Sequence, residues 1–303
     1  MTDIATERAV RLAAEPLREA GPRPGFASGT LSSLRDIAAH RELMGFLVRR
    51  ELKSRYKDSA LGFLWSLIRP LAMLLIYYIA LGKFLGAARS IPDFAIFIYT
   101  GLTAWTLFGE IVTIGTASIV ANSGLIKKVY LPREVFPLSV VGSAIFNFVI
   151  QLGILVAATI AVGRFPTGLR WLYFPLSLAV LLVWATALAL LLSAVNVYLR
   201  DVGYLVEVAL LILFWASPIV YSWSLVHRQL IKYPTLEQLY LLNPVTLAVC
   251  GFQQTFWAAG DSQPFEVTAL GERLGIALVI GVIALWLCQR TFARLQANFA
   301  QEL

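Results

Sequence analysis

Residues 49–86, RRELKSRYKDSALGFLWSLIRPLAMLLIYYIALGKFLG, decide how this chain folds. A dense basic stretch passes through the turn Leu61-Gly62 and runs straight into a long apolar segment. The charge suits an anionic membrane surface, and the apolar part suits the bilayer interior. Five more apolar runs follow, so the fold class is all-α and integral to a membrane.

Composition agrees. Of 303 residues, 58% are hydrophobic and 14% charged, and the mean hydropathy is +0.73, far more apolar than a soluble domain. The net charge of +7 could suggest nucleic acid. Its basic residues flank the apolar runs instead, which fits lipid head groups and topology control. Cys250 and Cys288 lie far apart and suggest no disulfide framework. With only His40 and His227 present, no His-based metal site is expected. Residues 1–32 lack the apolar core of a signal peptide and read as a mobile cytoplasmic tail.

A spanning helix needs about 20 apolar residues. Six stretches qualify, approximately Leu64 to Leu81, Phe94 to Ala117, Phe136 to Val162, Trp171 to Ala194, Leu205 to Tyr221 and Leu274 to Phe292. The fifth is weakest, because Ser217-Pro218 interrupts it near its far end. Lys and Arg crowd alternate loops. Arg49, Arg50, Lys53, Arg55 and Lys57 precede the first span; Lys127, Lys128 and Arg133 follow the second; Arg200 follows the fourth; Arg290 and Arg294 close the sixth. Both termini are therefore expected in the cytoplasm, with the chain in the inner membrane.

Leu34, Ile37, Leu43, Phe46 and Leu47 recur at near-helical spacing, which predicts an amphipathic helix over 33–60, lying in the cytoplasmic interface. A plain polybasic topology signal is the alternative. The six spans then occupy 61–296, and 297–303 return to the cytoplasm. Beyond the fifth span, Asn243-Pro244 opens a short apolar helix, with Asn243 as its cap and Pro244 first in the helix. At about sixteen residues it is too short to span, so it is expected to be interfacial or re-entrant.

Ionisable groups within spans are costly and are candidates for function. Glu110 lies well inside the second span; Arg69 and Glu207 lie near span ends, where snorkelling accounts for them. Aromatic side chains abound, among them Tyr77, Tyr78, Trp105, Phe108, Phe214 and Trp215. Most such rings pack or face lipid, but a subset could line a path on which sugar faces stack. The sequence holds no G-x-x-x-x-G-K-[ST] loop, so ATP is not bound here in the P-loop manner. It also lacks a GxSxG elbow, an HExxH or a cluster of Asp residues suited to sugar transfer.

Four motifs now carry a resemblance. RRELKSRYKDSALGFLW (49–65), NSGLIKKVYLPREVFP (122–137), NVYLRDVGYLVEVALLILFWASPIVY (196–221) and LLNPVT (241–246) resemble, in order, the transmembrane subunits of type-2 ABC exporters. Those exporters move polysaccharides and polyol polymers such as O-antigen, teichoic acid and galactan. The resemblance implies a homodimer of six-span subunits, a pore at their interface, and two cytoplasmic ATPase subunits that bind ATP and Mg. It implies no cofactor on this chain. Residues 34–57 would match the interface helix and Leu61-Gly62 its short loop to the first span. Asn122, Leu125, Lys127 and Lys128, with Arg133 and Glu134 beyond them, would contact the ATPase, as would Arg200-Asp201; a positive-inside loop is the plain alternative. Pro218, Asn243 and Pro244 would belong to a gate on the outer side. Lys53, Arg55 and Arg69 could attract the diphosphate of a lipid-linked glycan. Two other functions stay open: an ion-coupled carrier using Glu110, and a membrane glycosyltransferase or acyltransferase.

Overall fold

The computed structural model describes residues 33, 35–56, 64–128, 131–262 and 267–303. The expected tail 1–32, Leu34, Lys57 and the Leu61-Gly62 turn lie outside the described residues, as does the side chain of Arg55. Among the described residues every regular element is helical. In order they are α1 (Arg41–Tyr56), α2 (Trp65–Tyr77, continued by a π-helical stretch Tyr78–Phe84), α3 (Phe94–Ala121), α4 (Ser123–Ile126), α5 (Val135–Ala161) and α6 (Tyr173–Tyr198). There follow α7 (Val202–Trp215), α8 (Trp223–Leu230), α9 (Pro234–Leu241), α10 (Pro244–Phe256), α11 (Leu270–Leu295) and α12 (Phe299–Glu302).

Five stretches are long and apolar enough to cross a bilayer: Leu67–Phe84, Phe94–Ala121, Val135–Ala161, Gly168–Tyr198 and Leu270–Asn298. They coincide with five of the six expected spans, their ends moved by a few residues. The fifth expected span differs. Its helix, α7, has 14 residues and stops at Trp215, about 21 Å of helix against a hydrocarbon core of ~30 Å. The apolar run had suggested Tyr221. Pro218 accounts for the correction: it lacks an N–H, and its ring disfavours helical backbone at Ser217.

α3 is the central element. In its most apolar stretch 72% of residues are buried within the chain, against 6% for the first span. It packs on α6, α5, α7 and α10. Helices in lipid gain little from apolar contact alone, so close backbone approach matters. Gly115 shows this: a Cβ there would lie 2.6 Å from that of Ala189 on α6. Across α6, the Trp184 indole N–H donates to Ala277 O of α11 at 2.9 Å.

After α7 the backbone leaves the helix yet stays buried, with Ser217 and Ile219 fully enclosed. Non-helical backbone at membrane depth persists only where protein supplies its hydrogen bonds. α10 supplies them. Gln253 Nε2 donates to Pro218 O at 2.7 Å, and Asn243 Nδ2 donates to Ser217 Oγ at 3.2 Å. Tyr221 Oη donates back to Trp215 O at 2.6 Å. Gly101 on α3 gives the segment room, since a Cβ there would approach Ile219 O to 3.0 Å. Asn243 also caps α10 as expected, its Oδ1 accepting from Val245 N at 3.0 Å, with Pro244 in the first turn. Nearly every residue of α10 is buried, so this short helix sits within the bundle.

Gln253→Leu is expected to leave the Pro218 carbonyl unsatisfied at a cost of ~1–3 kcal/mol. The measurement is the thermal midpoint of the purified protein in detergent, which should fall; an unchanged midpoint would show that this bond contributes nothing.

Candidate functional site

Three groups of the expected residues can be placed. At the end of the bundle carrying Lys127 and Lys128, α3 and α4 are joined by Asn122 alone. Its Nδ2 donates to Ser118 O at 2.8 Å, and its Oδ1 accepts from Arg50 Nη2 of α1 at 2.5 Å. One side chain therefore ties α1 to the α3–α4 joint. Beneath it, Leu47 of α1 packs in a buried cluster with Ile119, Ile126, Val135, Phe136, Phe292 and Phe299, and Leu125 rests against that cluster. Lys127, Lys128, Arg49 and Lys53 are exposed, as are Arg200 and Asp201 in the turn between α6 and α7. The Arg133 guanidinium lies over the Phe299 ring, 5.6 Å from its centre, within cation–π range. The apolar face of α1 is narrower than the spacing suggested. Leu47 is buried, whereas its neighbour Phe46 is 66% exposed, because α1 docks on α5 along one stripe and Phe46 lies at its edge.

Glu134, at the start of α5, is buried and not presented to solvent. Gln296 Nε2 approaches its Oε1 at 3.4 Å. Nearby, the less deeply buried Arg290 donates through Nη2 to Ser33 Oγ at 3.3 Å. Burial pushes the Glu134 carboxyl above its ordinary 4.5, with hydrogen bonds and the Arg290 charge acting in the opposite direction. A carboxyl raised in the folded state favours folding while protonated. Its contribution is full below 4.5 and is lost as pH rises through the folded value. Glu134→Gln should therefore be more stable than the parent at neutral pH, and the two should converge in acid. Denaturation midpoints across that pH range check this.

In the membrane region, α2, α3 and α7 bring five of the six candidate rings together. The Tyr77 and Phe214 ring centres lie 6.0 Å apart, and Trp105 meets Phe214 edge-on at 5.5 Å. Phe108 lies 6.1 Å from Trp105, and Trp215 lies 5.5 Å from Phe214. Phe108 and Phe214 are buried, while Trp215 is about half exposed. Tyr78 departs from the group. The π-helical stretch begins there, and its ring lies 6.4 Å from that of Phe94, with Lys83 Nζ 5.6 Å from the ring centre. Arg69 and Glu207 are exposed on α2 and α7.

Glu110 has a partner that its own run could not reveal. Asn147 Nδ2 of α5 donates to Glu110 Oε1 at 2.8 Å. Asn147 belongs to a buried polar stripe on α5, Ser139, Ser143, Asn147 and Gln151. That four-residue spacing inside an apolar helix was the available signal for a polar helix contact. The far-end residues Pro218, Asn243 and Pro244 also come together, in the α7–α10 lock described above. Among the described residues no three His, Cys, Asp or Glu side chains converge as a metal site would need.

Residues 42–257 match the family described as ABC-2 type transporter. The chain is also similar along nearly its whole length to the O-antigen export system permease protein RfbA of Myxococcus xanthus. The two are 30% identical over 272 residues, which cover 89% of this chain and 98% of the relative. An O-antigen export system permease protein RfbA of Klebsiella pneumoniae is 29% identical, over 86% of this chain and 95% of that relative. The polysialic acid transport protein KpsM of Escherichia coli is 24% identical, over 62% of this chain and 72% of its own length. The family match runs from the second residue of α1 past the end of α10, so it takes in both the α1–α4 joint and the α7–α10 lock. A multi-pass helical membrane protein with that match belongs to the ABC-2 type transporter family.

Proposed function

We propose that this chain is the membrane subunit of an exporter that moves a lipid-linked polysaccharide outward, driven by a separate ATPase. The observation that carries the substrate class is the similarity to O-antigen permeases across 98% of the Myxococcus relative. ATP and Mg belong to the partner, since this sequence has no P-loop of its own.

The working unit is a homodimer with two ATPase copies. α2 and α7 support this reading. They meet at Tyr77 and Phe214, and both turn broad apolar faces outward, with Leu75, Ile76, Leu211 and Ile212 more than half exposed. A second copy set against this face would place Trp215 and the neighbouring rings beside a shared path. Sugar C–H faces can slide over such rings, because stacking imposes no fixed hydrogen-bond register. Arg69, at the inner end of α2, would then meet the glycan diphosphate. α7 counts as the sixth crossing when residues 216–222, of which 217–220 are buried, are added to it, and α8, α9 and α10 form the outer gate. Both termini face the cytoplasm by the placement of Lys and Arg.

The basic end supplies the coupling. Lys127 and Lys128 and the Arg200-Asp201 turn contact the ATPase. A push on α4 passes through Asn122 into α3 and, through Arg50, into α1. Proteoliposomes holding the permease, its ATPase and lipid-linked glycan should export glycan only with ATP. Export by the permease alone, or driven by a proton gradient through Glu110, would overturn the reading, as would sugar or acyl transfer by the isolated chain. Asn122→Ala and Arg50→Ala should each lower export per ATP about tenfold, the loss of one charge-assisted bond. If they act through one bond, the double variant should be little worse than either alone.

A further inference from the structure

We infer that the chain end, residues 295–303, is a coupling element: it binds the two turns assigned to the ATPase into one block, so that they move together. The inference rests on the export reading and deepens it. A chain end frays unless something ties it down, and this one is tied. Phe299 is fully enclosed, in the buried cluster that also holds Leu47 of α1, Ile126 of α4 and Val197 of α6. Leu303, the last residue, rests against the same cluster. Ala297, Asn298, Gln301 and Glu302 are exposed instead. The segment thus turns an apolar side inward and a largely polar side outward.

Both turns meet this segment through specific contacts. On one side is the stretch between α4 and α5. Arg133 sets its guanidinium over the Phe299 ring, 5.6 Å from its centre, and Gln296 Nε2 approaches Glu134 Oε1 at 3.4 Å. On the other side is the turn between α6 and α7. Tyr198 closes α6, two residues before Arg200. Its ring lies 6.2 Å from that of Phe299, steeply inclined to it at 62°. A helix end leaves its last carbonyls without intrahelical partners, and the Tyr198 hydroxyl uses one of them, donating to Leu295 O at 2.7 Å. Phe292 of α11 backs the Phe299 ring edge-on at 5.6 Å. One ring is therefore shared by Arg133, Tyr198 and Phe292, and a displacement of either turn presses on it. Close-packed interiors transmit such strain. A loosened ring would let one turn move without the other, and nucleotide turnover on the ATPase would drive less export.

Two variants test this. Tyr198→Phe removes the hydroxyl contact and keeps the ring; Phe299→Ala removes the ring. The first measurement needs no ATPase: hydrogen exchange of the full-length permease alone in nanodiscs. Tyr198 lies on the α6 side, yet its loss of a hydroxyl should speed exchange of residues 131–136, across the segment, about threefold. Exchange that changes only around residues 195–202, or nowhere, would overturn the linkage. The second measurement uses proteoliposomes with the ATPase and lipid-linked glycan. Tyr198→Phe should keep ATP turnover within about twofold and export about fivefold less glycan per ATP, the loss of one neutral hydrogen bond. Phe299→Ala should lower that ratio further. An unchanged ratio, with export and ATP turnover falling in parallel or not at all, would mark a merely structural contact and overturn the coupling role. If Phe299→Ala fails to match the parent's size-exclusion profile, Tyr198→Phe alone decides both tests. A parent that exports with ATP while the exchange effect stays local removes this inference and leaves the transport reading standing. A parent that never exports with ATP removes the transport reading, and the coupling role with it, whatever the exchange shows.

Discussion

Backbone that leaves a helix inside an apolar surrounding must find its hydrogen bonds in the protein itself, and this constraint shapes the far half of the molecule. α7 stops at Trp215, yet residues 217–220, outside any helix, are buried. The carbonyl of Pro218 is met by Gln253, and the Ser217 hydroxyl by Asn243. α10 must therefore run inside the bundle, beside α3, α6 and α11. Its length follows too. A helix that enters only to satisfy a broken neighbour needs about 20 Å, and thirteen residues provide it. Glycine at position 101 and a capped, proline-initiated start at 243–244 are the local conditions that let these parts meet.

The opposite end is built differently. Apolar packing of Leu47 with Ile119, Phe136 and Phe299 gives it mass, and the Arg50–Asn122 bond gives it direction. Such a bond between a guanidinium and an amide is geometric as well as energetic, so α1 and α4 are held in register. α3 connects the two ends. It carries Asn122 at one terminus, Trp105 and Glu110 along its length, and Gly101 against the unwound segment. A displacement at the joint would reach the ring-lined face and the α7–α10 lock through one rigid helix. That is the mechanical content of the proposed coupling.

Much of this was legible in the residues. Long apolar runs announce spanning helices because a bilayer has a fixed thickness, and the five long helices lie where those runs lie. The start of α10 was legible because an Asn-Pro pair has few other uses at a helix start. The end of α7 was not, since the residues on either side of Ser217-Pro218 are equally apolar, and hydropathy does not register a break in the backbone. Glu110 was visible as an anomaly while Asn147 was not, because their pairing depends on how α3 and α5 cross. The rings were visible in number only. Tyr77 and Tyr78 are neighbours in the sequence, but successive helical positions point about 100° apart, and they meet different rings, Phe214 and Phe94.

The central claim is that a path between two copies is opened by nucleotide held on another chain. A spin label at Leu211→Cys, on the exposed face of α7 and with Cys288 replaced, would report the distance between copies in nanodiscs with the ATPase bound. The account predicts one defined distance that changes when ATP is added and returns after hydrolysis. A distance indifferent to nucleotide, or no coupling between labels at all, would contradict it.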